Sequence, residues 1–122
     1  MFIDYVDHEF CLRCNLWGYK IIEASNAILR HSVGRLHKGR FMGREISFSD
    51  HSPLRKYYFV RNILFVYFNY YRQFTEWVTR DCKVQLKNNL VEYCCGAERF
   101  NKVLYSLLGL YHFCINRYGK LS

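Results

Sequence analysis

The chain has 122 residues and 51% of them are hydrophobic types, which fits one domain with a real core and excludes a disordered or low-complexity chain. Its 18 Lys and Arg outnumber its 10 Asp and Glu to leave a charge of +8. Charge therefore favours an anionic partner, whether nucleic acid, an acidic lipid surface or a phosphorylated ligand, with a surface that merely keeps the protein in solution as the plain alternative.

Aromatic residues reach 19%, with eleven Tyr and ten Phe, more than a small core needs, so rings are expected on a groove, a partner surface or a membrane interface. The opening residues Met1-Phe2-Ile3-Asp4 lack a basic stretch followed by an apolar one, and the six cysteines are accordingly expected to be reduced and cytoplasmic. Cys11 and Cys14 have half of a zinc spacing, but Cys94 and Cys95 are adjacent and supply no second half. Small buried side chains are the expectation for these cysteines.

Phe10, Cys14 and Trp17 recur at helical spacing between the acids Asp7 and Glu9 and a capping Gly18, which predicts a helix over Asp7 to Trp17. Tyr19 to Glu23 and Ala27 to His31 are short, rich in Tyr, Ile and Leu, and predict strands or extended pieces. Residues Arg35 to Asp50 contain Gly39 and Gly43 without clear periodicity and predict a mobile loop. Ser52-Pro53 is an N-cap followed by proline at the first helical position, which starts a helix expected to run to Val78. Two more helices follow, over Cys82 to Cys94 and Ala97 to Asn116, separated by Gly96 and closed by Gly119. The sequence thus divides into an α/β fragment over residues 1–50 and a helical region over 51–122. The apolar run Ile63 to Tyr71 lies between Arg61-Asn62 and Arg72, too short for a spanning helix, so it is expected to pack inside or to lie at an interface.

Asp4, Asp7 and Glu9 crowd the entry to the first helix, close to Arg13. Such carboxylates can act as a general base or hold a divalent cation, and they can equally be the acidic start of a capped helix. Arg13 can pair with either acid or remain a surface arginine. On the helix begun at Pro53, Arg55, Tyr58, Arg61 and Asn62 project within roughly a 120° arc. Two guanidinium groups with a phenol and an amide would clamp a pyrophosphate or a phosphorylated lipid acceptor; a solvated stripe is the alternative.

The segment Phe2-Ile3-Asp4-Tyr5-Val6-Asp7-His8-Glu9-Phe10-Cys11-Leu12-Arg13 resembles the acidic motif of family-two glycosyltransferases, especially the rhamnosyltransferase group. Gly18-Tyr19-Lys20-Ile21 and His31-Ser32-Val33-Gly34 follow in the same order, and His51-Ser52-Pro53-Leu54-Arg55-Lys56-Tyr57-Tyr58-Phe59-Val60-Arg61-Asn62 is similar to the Arg-x-Tyr-Tyr-x-x-Arg-Asn stretch of that group. The resemblance implies the C-terminal portion of a GT-A type domain that performs inverting sugar transfer. Asp7 then matches the base that takes a proton from the acceptor hydroxyl, and Glu9 matches a second acidic position that orients a neighbour or the acceptor. His31 falls where relatives of the wider fold place a metal or pyrophosphate contact, although a lone His after an apolar strand also serves as a satisfied structural residue.

By the same resemblance, the full-length enzyme uses a nucleotide-sugar donor, with rhamnose as the inherited sugar, and a divalent metal, Mg or Mn. Its acceptor is lipid-linked or a polysaccharide, at the inner membrane face. The sequence contains neither a βαβ series nor an Asp-x-Asp motif, so the expectation is a chain that lacks the donor-binding half, is inactive alone and self-associates through exposed apolar surface. Two rival readings are a basic aromatic nucleic-acid-binding module, for which the sequence supplies no recognised motif, and a noncatalytic interaction protein.

Overall fold

The computed structural model describes residues 3–28, 36–41 and 43–121. Four helices and one hairpin follow each other in the order α1 (Val6–Leu16), β1 (Leu36–Phe41), β2 (Arg44–Ser49), α2 (Pro53–Tyr70), α3 (Thr75–Cys95) and α4 (Arg99–Cys114).

The first helix lies one residue from its predicted span and stops for the expected reason. Gly18 takes φ +80°, and the Gly18 and Tyr19 amides donate to the Asn15 and Cys14 carbonyls at 3.0 Å, the paired bonds of a Schellman motif. The chain over Tyr19 to Glu23 forms no strand. Ala27 and Ile28 are likewise non-strand, and the rest of the second predicted strand, His31 included, lies outside the described residues. The strands sit instead where a mobile loop was expected. β1 and β2 pair antiparallel from Leu36↔Ser49 to Phe41↔Arg44, around a turn in which Gly43 adopts φ +77°. Gly39 lets the hairpin lie flat, since a Cβ there would meet the Phe48 ring at 2.8 Å and the Cys95 Cβ at 3.2 Å.

Ser52 and Pro53 start α2 as the sequence indicates, with the Ser52 Oγ accepting a long bond from the Arg55 amide. The helix does not continue to Val78 but ends at Tyr70. No glycine or proline marks the break. The Thr75 hydroxyl donates to the Tyr71 carbonyl at 2.8 Å, a local bond that competes with the helical ladder, and the turn brings Phe74 and Trp77 against the cluster that holds Tyr5 and Tyr70, with Phe74 beside the Tyr70 ring and Trp77 beside His8. Burial of those rings outweighs helix propensity. The helix expected to begin at Cys82 is therefore the later part of the longer α3, and Gly96 follows that helix as expected. The last helix ends at Cys114, short of Asn116 and Gly119.

Two packing centres result. Tyr5, Leu12, Ile63, Val66 and Tyr70 form one, where α1 meets α2, with Phe59, Leu64, Phe65 and Tyr67 around it. The other is the long α2–α4 contact, set by Gly109, where an added Cβ would stand 2.5 Å from the Tyr57 carbonyl oxygen and 3.4 Å from the Arg61 amide nitrogen. Beside it the Tyr57 hydroxyl is 2.7 Å from His112 Nδ1 and accepts from Arg61 Nη1 at 3.1 Å. Because arginine only donates, the Tyr57 proton points at His112, which makes Nδ1 the acceptor. The cysteines depart from their expected place: Cys11, Cys82, Cys94 and Cys114 are exposed, Cys14 and Cys95 half-buried, and all six are free. They occupy helix faces that these two centres do not cover.

Alanine at Gly109 gains about 1 kcal/mol of helix propensity but places a methyl against backbone that cannot rotate away, an overpacking cost of about 1–3 kcal/mol or more. Gly109→Ala is expected to lower the urea midpoint of the chain, whereas a raised midpoint would show that α2 and α4 separate freely.

Candidate functional site

A pocket of about 550 Å³ opens where β2, the start of α2 and the later turns of α3 converge. Asp4, His51, Arg55, Lys56, Phe59 and Glu92 are among its lining groups. It joins two of the sequence blocks that carry the resemblance, the acidic segment and the segment from His51 to Asn62.

The first block reaches the pocket through an unusual turn. Ile3, Asp4 and Tyr5 have φ of 53°, 53° and 60°, a left-handed run that non-glycine residues adopt only when their surroundings hold them there. Asn62, fully buried, supplies the hold: its Nδ2 donates to the Ile3 carbonyl at 2.7 Å and to the Asp4 carbonyl at 3.1 Å. The turn sends Tyr5 into the core, where its hydroxyl donates to Asp81, and burial together with that carboxylate pushes the phenol pKa upward. Asp4 points the other way, toward Arg55, whose Nε lies 3.1 Å from both carboxylate oxygens and whose Nη2 lies 2.9 Å from Oδ1.

The four-residue arc on α2 does not face one ligand. Arg55 is exposed, but Tyr58, Arg61 and Asn62 are buried. Arg61 Nη1 donates to the Gly119 carbonyl at 2.9 Å, and its guanidinium carbon stands 5.1 Å from the Tyr57 and Tyr58 ring centres. The Tyr58 hydroxyl accepts from the Leu121 amide at 2.7 Å. The C-terminal segment covers Tyr58 and Arg61, and the left-handed turn over Ile3 to Tyr5 covers Asn62.

Of the acids, Asp7 is exposed in the first turn of α1, where the helix dipole favours negative charge. Glu9 is half-buried and engaged: it accepts from the Tyr70 hydroxyl at 2.8 Å and pairs with Arg13 at 3.1 Å. Burial and the Glu9 bond push the Tyr70 phenol up to about 12. His31 lies outside the described residues. Among the described residues no group of three or more His, Cys, Asp and Glu is close enough to hold a metal ion, so this donor set does not by itself fit Mg or Mn.

Composition and spacing leave the ion cluster along the pocket wall unseen. Glu92, 4% exposed, takes the Lys56 ammonium at 2.6 Å, the His51 ring at 3.0 Å, the His51 amide at 2.9 Å and the Lys102 ammonium at 3.4 Å. Lys102 also pairs with Asp50, which accepts from the Ala97 amide. Gly96 makes room, because a Cβ there would strike Asp50, the Glu92 carbonyl and Lys102. Burial alone would raise the Glu92 pKa, but the bonds from His51 and Lys56 outweigh it and hold the carboxyl down to about 2. Burial lowers the Lys56 pKa against the pull of Glu92. Gly96 is the signal in the sequence, legible only once Glu92, Asp50 and Lys102 are known to meet there.

Two groups should make acid stability fall in steps. Burial, with Arg117 and Arg61 nearby, lowers the His112 pKa below 6.5, so the unfolded chain binds the proton more readily and stability declines as pH drops through that value. Glu92 contributes stability that is present above pH 4.5 and lost as pH falls toward about 2. Glu92→Gln leaves the buried Lys56 ammonium without its anion and Lys102 with Asp50 alone, a loss of about 3–5 kcal/mol at neutral pH, and should flatten the lower step in denaturant titrations. A lower step of undiminished size would assign it to another carboxylate.

No protein-family model matches the chain, and no solved structure matches it. Over 62 residues it is 40% identical to the dTDP-rhamnosyl transferase RfbF of Shigella flexneri, a match that takes in 51% of this chain and 20% of that protein. The chain therefore spans about a fifth of its relative's length, and over about half of its own length it is related to a rhamnosyltransferase.

Proposed function

We propose that this chain carries the base and acceptor side of a sugar-nucleotide-dependent glycosyltransferase of the family-two type, with residues 1–50 belonging to a GT-A domain and residues 51–122 forming its helical end. The observation that carries this reading is the 40% identity over 62 residues to a dTDP-rhamnosyl transferase. It is supported by the contact between the two resembling blocks, where Arg55 grips Asp4 and Asn62 holds the backbone of Ile3 and Asp4.

In this reading Asp7, exposed on the first turn of α1, takes the proton from the acceptor hydroxyl as that oxygen attacks the anomeric carbon of the donor sugar. An ionised carboxylate next to a helix N-terminus suits that step. Glu9, fixed by Tyr70 and Arg13, shapes the acidic turn and does not itself move the proton. Arg55 is the cation of the α2 arc open to a phosphorylated substrate, while Tyr58, Arg61 and Asn62 hold the helix and the Asp4 turn in place. The acceptor is a polysaccharide or lipid-linked sugar and the donor a nucleotide-sugar, with rhamnose taken from the relative. A divalent metal, if used, takes ligands beyond the described residues.

The test is a chimera in which this chain replaces the matching segment of the Shigella flexneri enzyme. Sugar transfer should be retained, and Asp7→Asn should slow it by at least about 10²-fold while donor affinity stays unchanged. Glu9→Gln should be milder. Equal turnover in the Asp7→Asn chimera would reduce Asp7 to a helix-dipole charge, and a chimera that folds and binds donor yet transfers nothing would remove the proposed function.

A further inference from the structure

A second concavity, of about 880 Å³, lies between the C-terminal half of α2, the early turns of α3 and the end of α4. Its walls are apolar: Leu64, Phe68, Tyr71, Val78 and Phe113. Phe68 remains 81% exposed, with its ring 6.2 Å from that of Phe113. An aromatic ring held in water beside an open apolar groove marks a surface that gains free energy by being covered.

The edge of the groove is basic. Arg72, in the turn after α2, and Lys83, on α3, are exposed lining residues; among the described residues no Asp or Glu lines the groove. Among the described residues neither cation has an ion-pair partner. A second copy of this chain would bring the same uncompensated cations face to face, which works against self-pairing through this surface. An amphiphile with an apolar tail and an anionic head matches both features at once.

We propose that this groove binds an anionic phospholipid at a bilayer surface, with acyl carbons against Phe68, Tyr71 and Phe113 and the phosphate between Arg72 and Lys83. The overall charge of +8 draws the chain to such a surface before the groove engages. Among the described residues no helix is long and apolar enough to cross a membrane; the groove accounts for attachment from one side. The inference stands on the groove alone, whether or not the chain takes part in sugar transfer.

Co-sedimentation of the full chain with phosphatidylcholine vesicles, and with mixed vesicles containing phosphatidylglycerol as the minor lipid, tests it. Binding is expected only to the mixed vesicles and should weaken at high salt. The double variant Arg72→Glu/Lys83→Glu replaces two cations by two anions and should lower the partition coefficient by more than the about 25-fold that loss of two cations alone gives, at roughly fivefold per basic residue. Phe68→Ser should weaken binding with little change in its salt dependence. Both variants alter exposed side chains, and an unchanged melting temperature establishes that each remains folded. The proposal is overturned by absence of binding to the mixed vesicles, by equal binding to both vesicle types, or by variants that bind as the parent does. It is equally overturned if Phe68→Ser turns a dimer into a monomer in sedimentation equilibrium without affecting vesicle binding.

Discussion

Glu92 meets partners from α2, from α4 and from the residues between the hairpin and α2. Two lysine ammonium groups leave water in this fold, Lys56 at 3% and Lys102 at 1% exposure, and each would be costly to bury without an anion. Reaching both from one α3 carboxylate, with Asp50 as the second anion for Lys102, limits where α3 can lie against α2 and α4. Asp50 and His51 are drawn into the same cluster, so the hairpin is tied to the helices by charge as well as by the close approach of Gly39 to Cys95. The pocket wall is a consequence of that arrangement.

A second buried network, centred on Arg61 and Asn62, acts on the other end of the site. Arg61 stands against both the Tyr57 and Tyr58 rings and binds the Gly119 carbonyl, which ties the chain after α4 to α2. Asn62, next to it, holds three consecutive left-handed residues in place. Stabilisation from α2 is thus used to keep a strained turn, a pattern common where a side chain must be aimed with little freedom. The side chain aimed here is Asp4, and the helix that begins immediately after the turn presents Asp7.

These two networks separate residues that line the pocket from residues that support them. The stretch from His51 to Asn62 resembles one motif, yet its members divide by helical face: His51, Arg55, Lys56 and Phe59 line the pocket, while Tyr57, Tyr58, Arg61 and Asn62 are buried behind it. Polar side chains in such a motif can be required because buried hydrogen bonds demand exact partners, without any of them touching substrate.

Local chemistry was legible in the sequence. Gly18 after α1, Ser52-Pro53 before α2 and Gly96 between α3 and α4 each act within a few residues, and each element ends or starts where they indicate. The acidic segment and the Arg55–Asn62 stretch were also legible as places of interest, since their residue types and order need no partner to be recognised. Tertiary structure decided the rest. The break after Tyr70 has no breaker residue and follows from packing Phe74 and Trp77 on the cluster that holds Tyr5 and Tyr70; the hairpin over 36–49 has weak periodicity because most of its described side chains are exposed, with only Gly39, Ile46 and Phe48 half-buried. Nor does any local pattern tell that Arg61 and Asn62 face inward while Arg55 faces the pocket, or that Glu92 and Asp50 together neutralise Lys56 and Lys102. Those pairings join residues tens of positions apart, and burial, which gives them their energy, exists only once the helices have packed.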